Sequence, residues 1–352
     1  MKLLGIESSC DETAAAVIVG PNRILSSVIS SQIEMHRPFG GVVPEAASRE
    51  HLSKIDAIVA EALKKAAIEE SEIDAVAVTK GPGLIGSLLV GVCYAKAFAL
   101  GLQKPLIGVN HIEGHFYSVV FENPPIEYPA LALIVSGGHT NLFFVPRENM
   151  YKLISQTRDD AAGEAFDKVA KLLGLAYPGG PIIEKVARGG DPLAIRFTRP
   201  KITDGTPDFS FSGLKTAVTR YVREMGIEPM SSGQAPVKRI SDLAASFQQT
   251  VVSMLVDTME EQAASLKPKT LIVAGGVACN LVLRAAAESA AKRLGIPVYF
   301  PSKHLSTDNA AMIAAAGYRR LIRGEIDGPE MTADTTIRLA RRPDTRRVRY
   351  KI

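Results

Sequence analysis

The chain has 352 residues, of which 46% are hydrophobic and 22% charged, and its formal net charge is +4. This composition is typical of a soluble globular protein, and the length predicts roughly two domains of about 150 residues each. Cys10, Cys93 and Cys279 form no CxxC pair, which excludes a disulfide scaffold and a four-cysteine zinc site and favours a reducing cytoplasm. Tryptophan is absent and aromatic residues make up 6%, so stacking platforms for single-stranded nucleic acid are not expected.

The sequence predicts neither a signal peptide nor a membrane span. Its N-terminal segment reaches Glu7 and Asp11 too early for a secretory signal. The most apolar stretch, residues 84–100, contains glycine and Lys96 and is expected to fall short of a bilayer span. We therefore expect a cytoplasmic protein without membrane contact.

Apolar strands and helices alternate along most of the chain, which predicts an α/β fold with helices covering a sheet. Before a predicted linker at 123–125, we expect strands at 2–7, 14–19, 24–31, 73–79 and 105–110, and helices at 48–67, at 84–101 and from His111 onward. After it we expect strands at 130–135, 140–146, 151–157, 270–274 and 296–300, and helices at 163–174, 181–188, 212–224, 240–266 and 307–323.

The two halves of the chain repeat one pattern. GIESSCDETAAAVIV and ALIVSGGHTNLFFV each place a turn of small residues between two apolar strands, with Thr13 or Thr140 closing the turn. Glycine and serine let backbone N–H groups approach an anion closely, so a matched pair of such turns suits the phosphates of a nucleotide. Ordinary β-hairpin turns are the alternative. The duplication predicts lobes at 1–125 and 126–325 with a cleft between them, and a helical insertion at about 160–265.

A histidine pair is the first candidate site. His111 and His115 lie four residues apart, on one face of the predicted helix, where two imidazoles can chelate a metal ion. Glu113 is two residues after the first histidine, so the general base of an HExxH peptidase is missing. Asp308 is the candidate third ligand, and its alternative role is to cap the last helix. Two imidazoles with one carboxylate suit zinc or ferrous iron with open coordination positions.

Two further segments are candidate ligand contacts. Residues 271–280 lead from a strand through two glycines into a helix, which lets a phosphorylated ligand approach the helix N-terminus; Asn280 either contacts a ribose or base or belongs to the first turn. Asp167 and Glu184 lie on either side of a Pro/Gly turn at 177–181. Asp167 is a candidate to bind a sugar hydroxyl, with a solvated helix face as the alternative.

The C-terminus is strongly basic. Residues 335–352 contain seven basic residues and one acidic residue. We therefore expect a basic tail at 326–352 that remains unpacked and binds the phosphate backbone of a nucleic acid. A solvated end that only aids solubility is the alternative.

Ten motifs, taken in order, closely resemble the bacterial TsaD family of tRNA adenosine threonylcarbamoyltransferases, formerly described as O-sialoglycoprotein endopeptidase-like. They are GIESSCDET, GGVVPEAASREH, GPGLIGSLLVG, NHIEGH, VSGGHT, DDAAGEAFDK, YPGGP, FSFSGLKT, GGVACN and STDNAAM. The resemblance covers roughly residues 3 to 325 and implies the duplicated, two-lobed actin/Hsp70/sugar-kinase fold. It also implies transfer of a threonylcarbamoyl group from threonylcarbamoyl-AMP, which a partner enzyme makes, to the N6 amine of adenosine 37. That adenosine lies just 3′ of the anticodon in tRNAs that read codons beginning with A, and AMP is released.

The resemblance also implies the site residues. His111, His115 and Asp308 would bind one Fe²⁺ per subunit, with Zn²⁺ as the alternative. The residues that would contact the activated substrate are Ile134, Val135, Ser136, Gly137, Gly138, Asp167, Gly180, Asn280 and Glu184, the last of these at a position where the family often has aspartate. No catalytic acid or base follows from the family pattern; from the chemistry, Asp11 or His139 would take a proton from the attacking amine.

The expected partners are tRNA, the smaller relative TsaB and the ATPase TsaE. The apolar helix at 84–101 either faces TsaB or belongs to the core. Other functions remain open from the residues alone. A sugar kinase of the same fold has no use for the histidine pair, a metallopeptidase lacks its base, and a non-catalytic binding module needs no metal ligands.

Overall fold

The structure, a computed structural model, describes residues 1–200, 202–230, 236–340 and 342. The chain forms two compact units. Unit 1 comprises Met1–Pro125, Ala274–Gly276 and Phe300–Arg338, and unit 2 comprises Ile126–Val273, Val277–Tyr299 and Leu339–Ile352.

Strands and helices alternate as the sequence predicts. The strands are β1 (Lys2–Glu7), β2 (Glu12–Val19), β3 (Arg23–Ser31), β4 (Ala75–Gly81), β5 (Leu106–Asn110), β6 (Ala130–Val135), β7 (Thr140–Arg147), β8 (Met150–Gln156), β9 (Thr270–Ala274) and β10 (Val298–Tyr299). The helices are α1 (Ile33–His36), α2 (Pro44–Ala66), α3 (Ile85–Leu102), α4 (His111–Tyr117), α5 (Ala162–Leu172), α6 (Gly179–Ala187), α7 (Ser212–Glu224), α8 (Lys238–Leu266), α9 (Leu281–Leu294), α10 (Lys303–Ser306) and α11 (Ala310–Ile322).

Unit 1 contains a five-stranded sheet in the order β3-β2-β1-β4-β5. The first three strands in sequence are antiparallel, whereas β4 runs parallel to β1 and to β5. Alternate residues point to opposite faces of a strand. Leu4, Ile6 and Val78 pack with α2 and α3 on one face, and α11 lies against the other. Gly317 allows this close approach, because a Cβ there would lie 2.4 Å from the Cβ of Ala77.

Unit 2 repeats the strand plan of unit 1. Its five-stranded sheet has the order β10-β9-β6-β7-β8, so the first three strands again form an antiparallel meander, with the fourth strand beside the first and the fifth outermost. The helices α5, α6, α7 and α8 separate β8 from β9 in sequence. Phe166 of α5 and Phe247 of α8 pack edge to face in the core, with ring centroids 5.2 Å apart. The predicted duplication of an α/β fold is thus confirmed by the matching order of the two sheets.

The structure differs from the sequence prediction after residue 300. Residues 300–325 belong to unit 1 rather than to the C-terminal lobe, because α11 packs on the unit 1 sheet. Residues 326–338 are not an unpacked tail either. Met331 is buried in the unit 1 core, and Asp327 accepts hydrogen bonds from Lys80 Nζ at 3.1 Å and Gly108 N at 2.8 Å. The remainder of the predicted basic tail, except for 339, 340 and 342, lies outside the described residues.

Within the described part of the chain, one helix meets the length and composition criteria for a membrane span, contrary to the sequence expectation. It is Ile85–Leu102, with a mean hydropathy of 1.8, and a third of it is buried in the protein. Core helices of soluble proteins meet the same criteria. Leu88, Val92 and Ala95 lie in the unit 1 core, so this helix is in part a core helix.

Candidate active site

The histidine pair lies where β5 passes directly into α4. Asn110 ends the strand and caps the helix, its side chain accepting a hydrogen bond from Ile112 N at 2.9 Å. His111 is therefore the first helical residue, and His115 follows about one turn later. Both imidazoles are buried, and their ring centroids are 4.7 Å apart.

Asp308 joins the two histidines from the N-terminal side of α11. Its Oδ1 lies 3.5 Å from His111 Nε2 and 3.2 Å from His115 Nε2. The cap of α11 is Asn309, whose side chain accepts from Met312 N at 3.0 Å. The alternative that Asp308 caps the last helix is therefore wrong, and its carboxylate faces the imidazoles instead.

These three side chains fit a metal ion. One ligand atom from each lies within 4.8 Å of the others. His115 Nε2 is buried and, although it faces Asp308, makes no well-aligned hydrogen bond within the described chain. A buried polar atom without a well-aligned hydrogen bond is costly, and a metal ion would satisfy it. Two imidazole nitrogens with one carboxylate oxygen form a donor set suited to zinc or iron.

Without a metal, the pKa values of the two histidines are shifted in opposite directions. Burial disfavours the imidazolium of His111, but the carboxylates of Asp308 and Glu7 more than offset this and raise its pKa to about 9. Burial dominates at His115 and lowers its pKa. Because a metal ligand must be deprotonated, an ion that binds here displaces a proton from His111 at neutral pH.

Glu7 is a site residue that the sequence analysis did not identify. It ends β1, is fully buried, and its Oε2 lies 3.0 Å from His111 Nδ1. Burial opposes its charge, but the neighbouring His111 and the Thr79 hydroxyl hold the pKa of Glu7 below its usual value. The available sequence signal was a carboxylate at the end of an otherwise apolar strand.

Two more acidic residues follow β1, Asp11 in the turn and Glu12 at the start of β2. Asp11, one of the two candidate bases, is 9% exposed, and its backbone carbonyl accepts from Gln32 N at 2.9 Å. Burial, with the charges of Asp11 and Asp308, raises the pKa of Glu12 well above its usual value.

The predicted substrate turn of unit 2 connects β6 to β7. Ser136 N donates to the carbonyl of His139 at 2.8 Å, and Gly137 and Gly138 are exposed. The N-terminus of α5 packs against this turn, since a Cβ on Gly163 would lie 2.6 Å from the carbonyl oxygen of Ser136. Two predicted contacts precede the turn within β6, and both residues are fully buried; they are Ile134 and Val135.

Asp167 and Gly180 lie at the junction of α5 and α6. Asp167 Oδ1 accepts from Gly179 N at 2.7 Å, which ties the start of α6 to α5. A Cβ on Gly180 would meet no atom within 4 Å, so the backbone at this position borders open space.

Glu184 lines a pocket of unit 2 whose volume is about 280 Å³, and Asn280 contacts Gln248, another residue of its lining. Glu184 lines it together with Gln248 and Leu281. Asn280 caps α9 by accepting from Leu283 N at 3.0 Å, and it donates from Nδ2 to Gln248 Oε1 at 2.8 Å. The oxygen and the nitrogen of its amide therefore each have a protein partner.

Comparison with known proteins identifies the family. The family model described as "TsaD: tRNA N6-adenosine threonylcarbamoyltransferase" matches residues 23–315. A protein of that name from Koribacter versatilis is 50% identical over 375 aligned positions, covering 96% of this chain and 98% of the relative. One from Symbiobacterium thermophilum is 52% identical over 328 positions, covering 92% of this chain and 94% of the relative.

Solved structures at low sequence identity share the fold. HypF from T. kodakarensis aligns with a TM-score of 0.59 at 13% identity, over 92% of this chain and 48% of its own. Component A of (R)-2-hydroxyglutaryl-CoA dehydratase from Acidaminococcus fermentans aligns with a TM-score of 0.50 at 13% identity, over 92% of this chain and 99% of its own. The predicted actin/Hsp70/sugar-kinase-like fold class is confirmed. With about half of its residues identical to those of such enzymes over nearly its whole length, the chain belongs to the tRNA N6-adenosine threonylcarbamoyltransferase family of transferases.

Proposed function

We propose that this protein transfers the threonylcarbamoyl group of threonylcarbamoyl-AMP to the N6 amine of adenosine 37 in tRNAs that read codons beginning with A, and releases AMP. Family membership supports this transfer over sugar phosphorylation and peptide hydrolysis. The observation that carries the chemistry is the buried convergence of His111, His115 and Asp308.

The metal in this proposal is one Fe²⁺ per subunit, with Zn²⁺ as the alternative, held by those three side chains. When bound, the ion supplies a Lewis acid that orients the threonyl part or polarises the carbonyl group. The two histidines of α4 would contribute the Nε2 atoms of their buried imidazoles, and Asp308 would contribute a negative charge beside them.

Unit 2 supplies the substrate contacts in this proposal. Gly137 and Gly138 are exposed, and their backbone N–H groups would donate to an oxyanion or a phosphate. Asp167 and Gly180 would border the nucleotide, and the pocket beside Glu184 and Asn280 would receive its sugar or base.

The reaction needs orientation more than activation. Threonylcarbamoyl-AMP is a mixed anhydride whose AMP leaving group departs readily, and the nucleophile is a neutral amine, so positioning the two reactants contributes much of the rate. The amine loses a proton as the new C–N bond forms. Asp11 or His139 would accept that proton.

The transfer is tested by analysing nucleosides of tRNA from a strain depleted of this protein. We expect threonylcarbamoyladenosine to disappear and unmodified adenosine to replace it, with recovery when the wild-type gene is restored. His115→Ala should fail to restore the nucleoside and should bind well below one metal ion per chain while remaining folded. Unchanged nucleoside content in the depleted strain would refute the proposed function.

The proposed partners are tRNA, TsaB and TsaE, in the cytoplasm. Helices α2 and α3 lie side by side, with a hydrogen bond from Tyr94 to Asp56, and both present apolar side chains to solvent. Leu52, Ile85 and Leu89 are 70%, 52% and 44% exposed. This apolar strip suits a partner such as TsaB. Co-elution with TsaB in size-exclusion chromatography should be lost in Leu89→Glu but kept in Leu100→Glu, a matched change at another exposed leucine of α3.

A further inference from the structure

Three parallel strands bring a buried carboxylate to the back of one histidine of the site. Glu7 ends β1, Thr79 lies on β4, and His111 directly follows β5. In the sheet β4 lies between β1 and β5, so the Glu7 side chain extends past Thr79 to reach the imidazole. Glu7, Thr79 and His111 are 0%, 0% and 4% exposed, so bulk water does not compete for these contacts.

Both oxygens of Glu7 act as hydrogen-bond acceptors. Oε1 accepts from Ser9 N at 2.5 Å, and Oε2 accepts from the Thr79 hydroxyl at 2.7 Å while lying 3.0 Å from His111 Nδ1. A neutral imidazole carries its proton on one nitrogen only. Once a metal ion displaces the second proton of His111, the carboxylate at Nδ1 keeps the remaining proton there, and Nε2, the atom that faces Asp308, has the free lone pair.

We propose that Glu7 is a positioning residue that fixes the tautomer and ring orientation of His111, so that Nε2 is presented as a metal ligand. The inference rests on the metal-binding part of the proposed function. Carboxylates behind metal-bound histidines commonly raise metal affinity about 10–100-fold.

Glutamine cannot replace Glu7 in either orientation of its amide. With its oxygen toward His111 and Thr79, its NH₂ group opposes the Ser9 N–H. With its oxygen toward Ser9, the NH₂ group opposes Nδ1–H of His111. The Ser9 hydroxyl, 3.2 Å from the same Nδ1, can then donate to it and favour the tautomer with its proton on Nε2.

The test compares Glu7→Gln with the full-length wild-type protein by chelator competition for Zn²⁺ at pH 7.5. We expect metal affinity to fall about 10–100-fold in Glu7→Gln. In ¹⁵N NMR spectra of the Zn²⁺-loaded proteins, His111 should show a protonated Nδ1 in the wild type, and this signal should shift or be lost in the variant. Thr79→Val keeps the carboxylate but removes one of its donors, and it should lower affinity by a smaller factor.

Thr13→Val is the matched control. It removes the Thr13 hydroxyl 2.8 Å from Nδ1 of His51, another buried histidine of unit 1, and should leave metal affinity unchanged. Wild-type affinity and an unchanged His111 spectrum in both Glu7→Gln and Thr79→Val would overturn the inference. Failure of the wild type itself to bind metal would instead refute the proposed metal site, so the two failures are distinguishable.

Discussion

A buried ion pair joins the two helices that bring the metal ligands together. Glu113 lies on α4 between the two histidines and is 3% exposed. Arg320 lies on α11, the helix that follows Asp308, and its Nη1 is 3.6 Å from Glu113 Oε2. We expect Arg320→Met to destabilise the protein and weaken metal binding, because it removes an ion-pair partner from a buried carboxylate.

The expected magnitude follows from this geometry. At an effective dielectric constant of about 20, two unit charges at this separation attract by about 5 kcal/mol. Arg320 is 22% exposed and is shared with Glu325 at 3.4 Å, so screening and sharing reduce the loss to about 2–3 kcal/mol. Burial raises the pKa of Glu113 despite Arg320. A carboxyl group that binds its proton more tightly when folded costs stability as pH rises above its unfolded pKa, so the loss should be larger at pH 8 than at pH 5.

The assay is equilibrium unfolding in urea of the metal-free protein, followed by circular dichroism. Arg293→Met is the matched control, because Arg293 pairs with Glu260 while 58% exposed, and such a surface pair contributes less than about 1 kcal/mol. Adding Glu113→Gln to Arg320→Met should restore part of the lost stability. An Arg320→Met variant that loses no more stability than Arg293→Met, or that loses the same amount at pH 5 and pH 8, would show that the Glu113–Arg320 pair does not stabilise the protein in this way.

Three further predictions concern the site and its substrates. Gly163→Ala should lower the free energy of unfolding by about 1–3 kcal/mol and weaken binding of a substrate analogue, because its Cβ would collide with the Ser136 carbonyl. Gly180→Ala has open space around the new Cβ, so it should stay folded and lose only analogue binding. Equal stability of the two variants would contradict this prediction. Zn²⁺ binding at pH 7 should release a proton from His111, and Zn²⁺ affinity should increase as pH rises toward about 9. Calorimetry in buffers of different ionisation enthalpy measures the number of protons released. A pH-independent affinity would contradict this prediction. Deleting 343–352 should weaken tRNA binding and flatten its salt dependence without changing metal content, and an unchanged salt slope would leave these residues a solubility role.

The sequence predicted the sheets and their helices well because these depend on local patterns. The apolar runs of β1, β4, β5 and β6 are fully or almost fully buried strands, and the two small-residue turns mark the start of each repeat. Boundaries moved by a few residues where capping decided them. The last helix begins at Ala310, for instance, because Asn309 satisfies its N-terminal donors.

The histidine pair was visible in the sequence because both members lie on one short helix. The residues that surround the pair could not be predicted from the sequence. Glu7 and Thr79 reach His111 only because β1, β4 and β5 are neighbours in the sheet, a relation among residues far apart in the chain. In unit 2 the sequence could not show that Ile134 and Val135 are fully buried or that Asn280 caps a helix, since packing and hydrogen bonding decide both.

By itself, then, the sequence determined the α/β class, the duplication, the family and the candidate ligands, since each depends on residue types that recur at short or repeated spacings. Only the tertiary structure decided that 300–338 belongs to unit 1, that Asp308 faces the histidines, and that Glu7 stands behind one of them. The physical reason is that the role of a buried charged or polar group depends on the partner that compensates the cost of its burial. These partners lie on strands and helices that are distant in sequence and meet only in the folded protein.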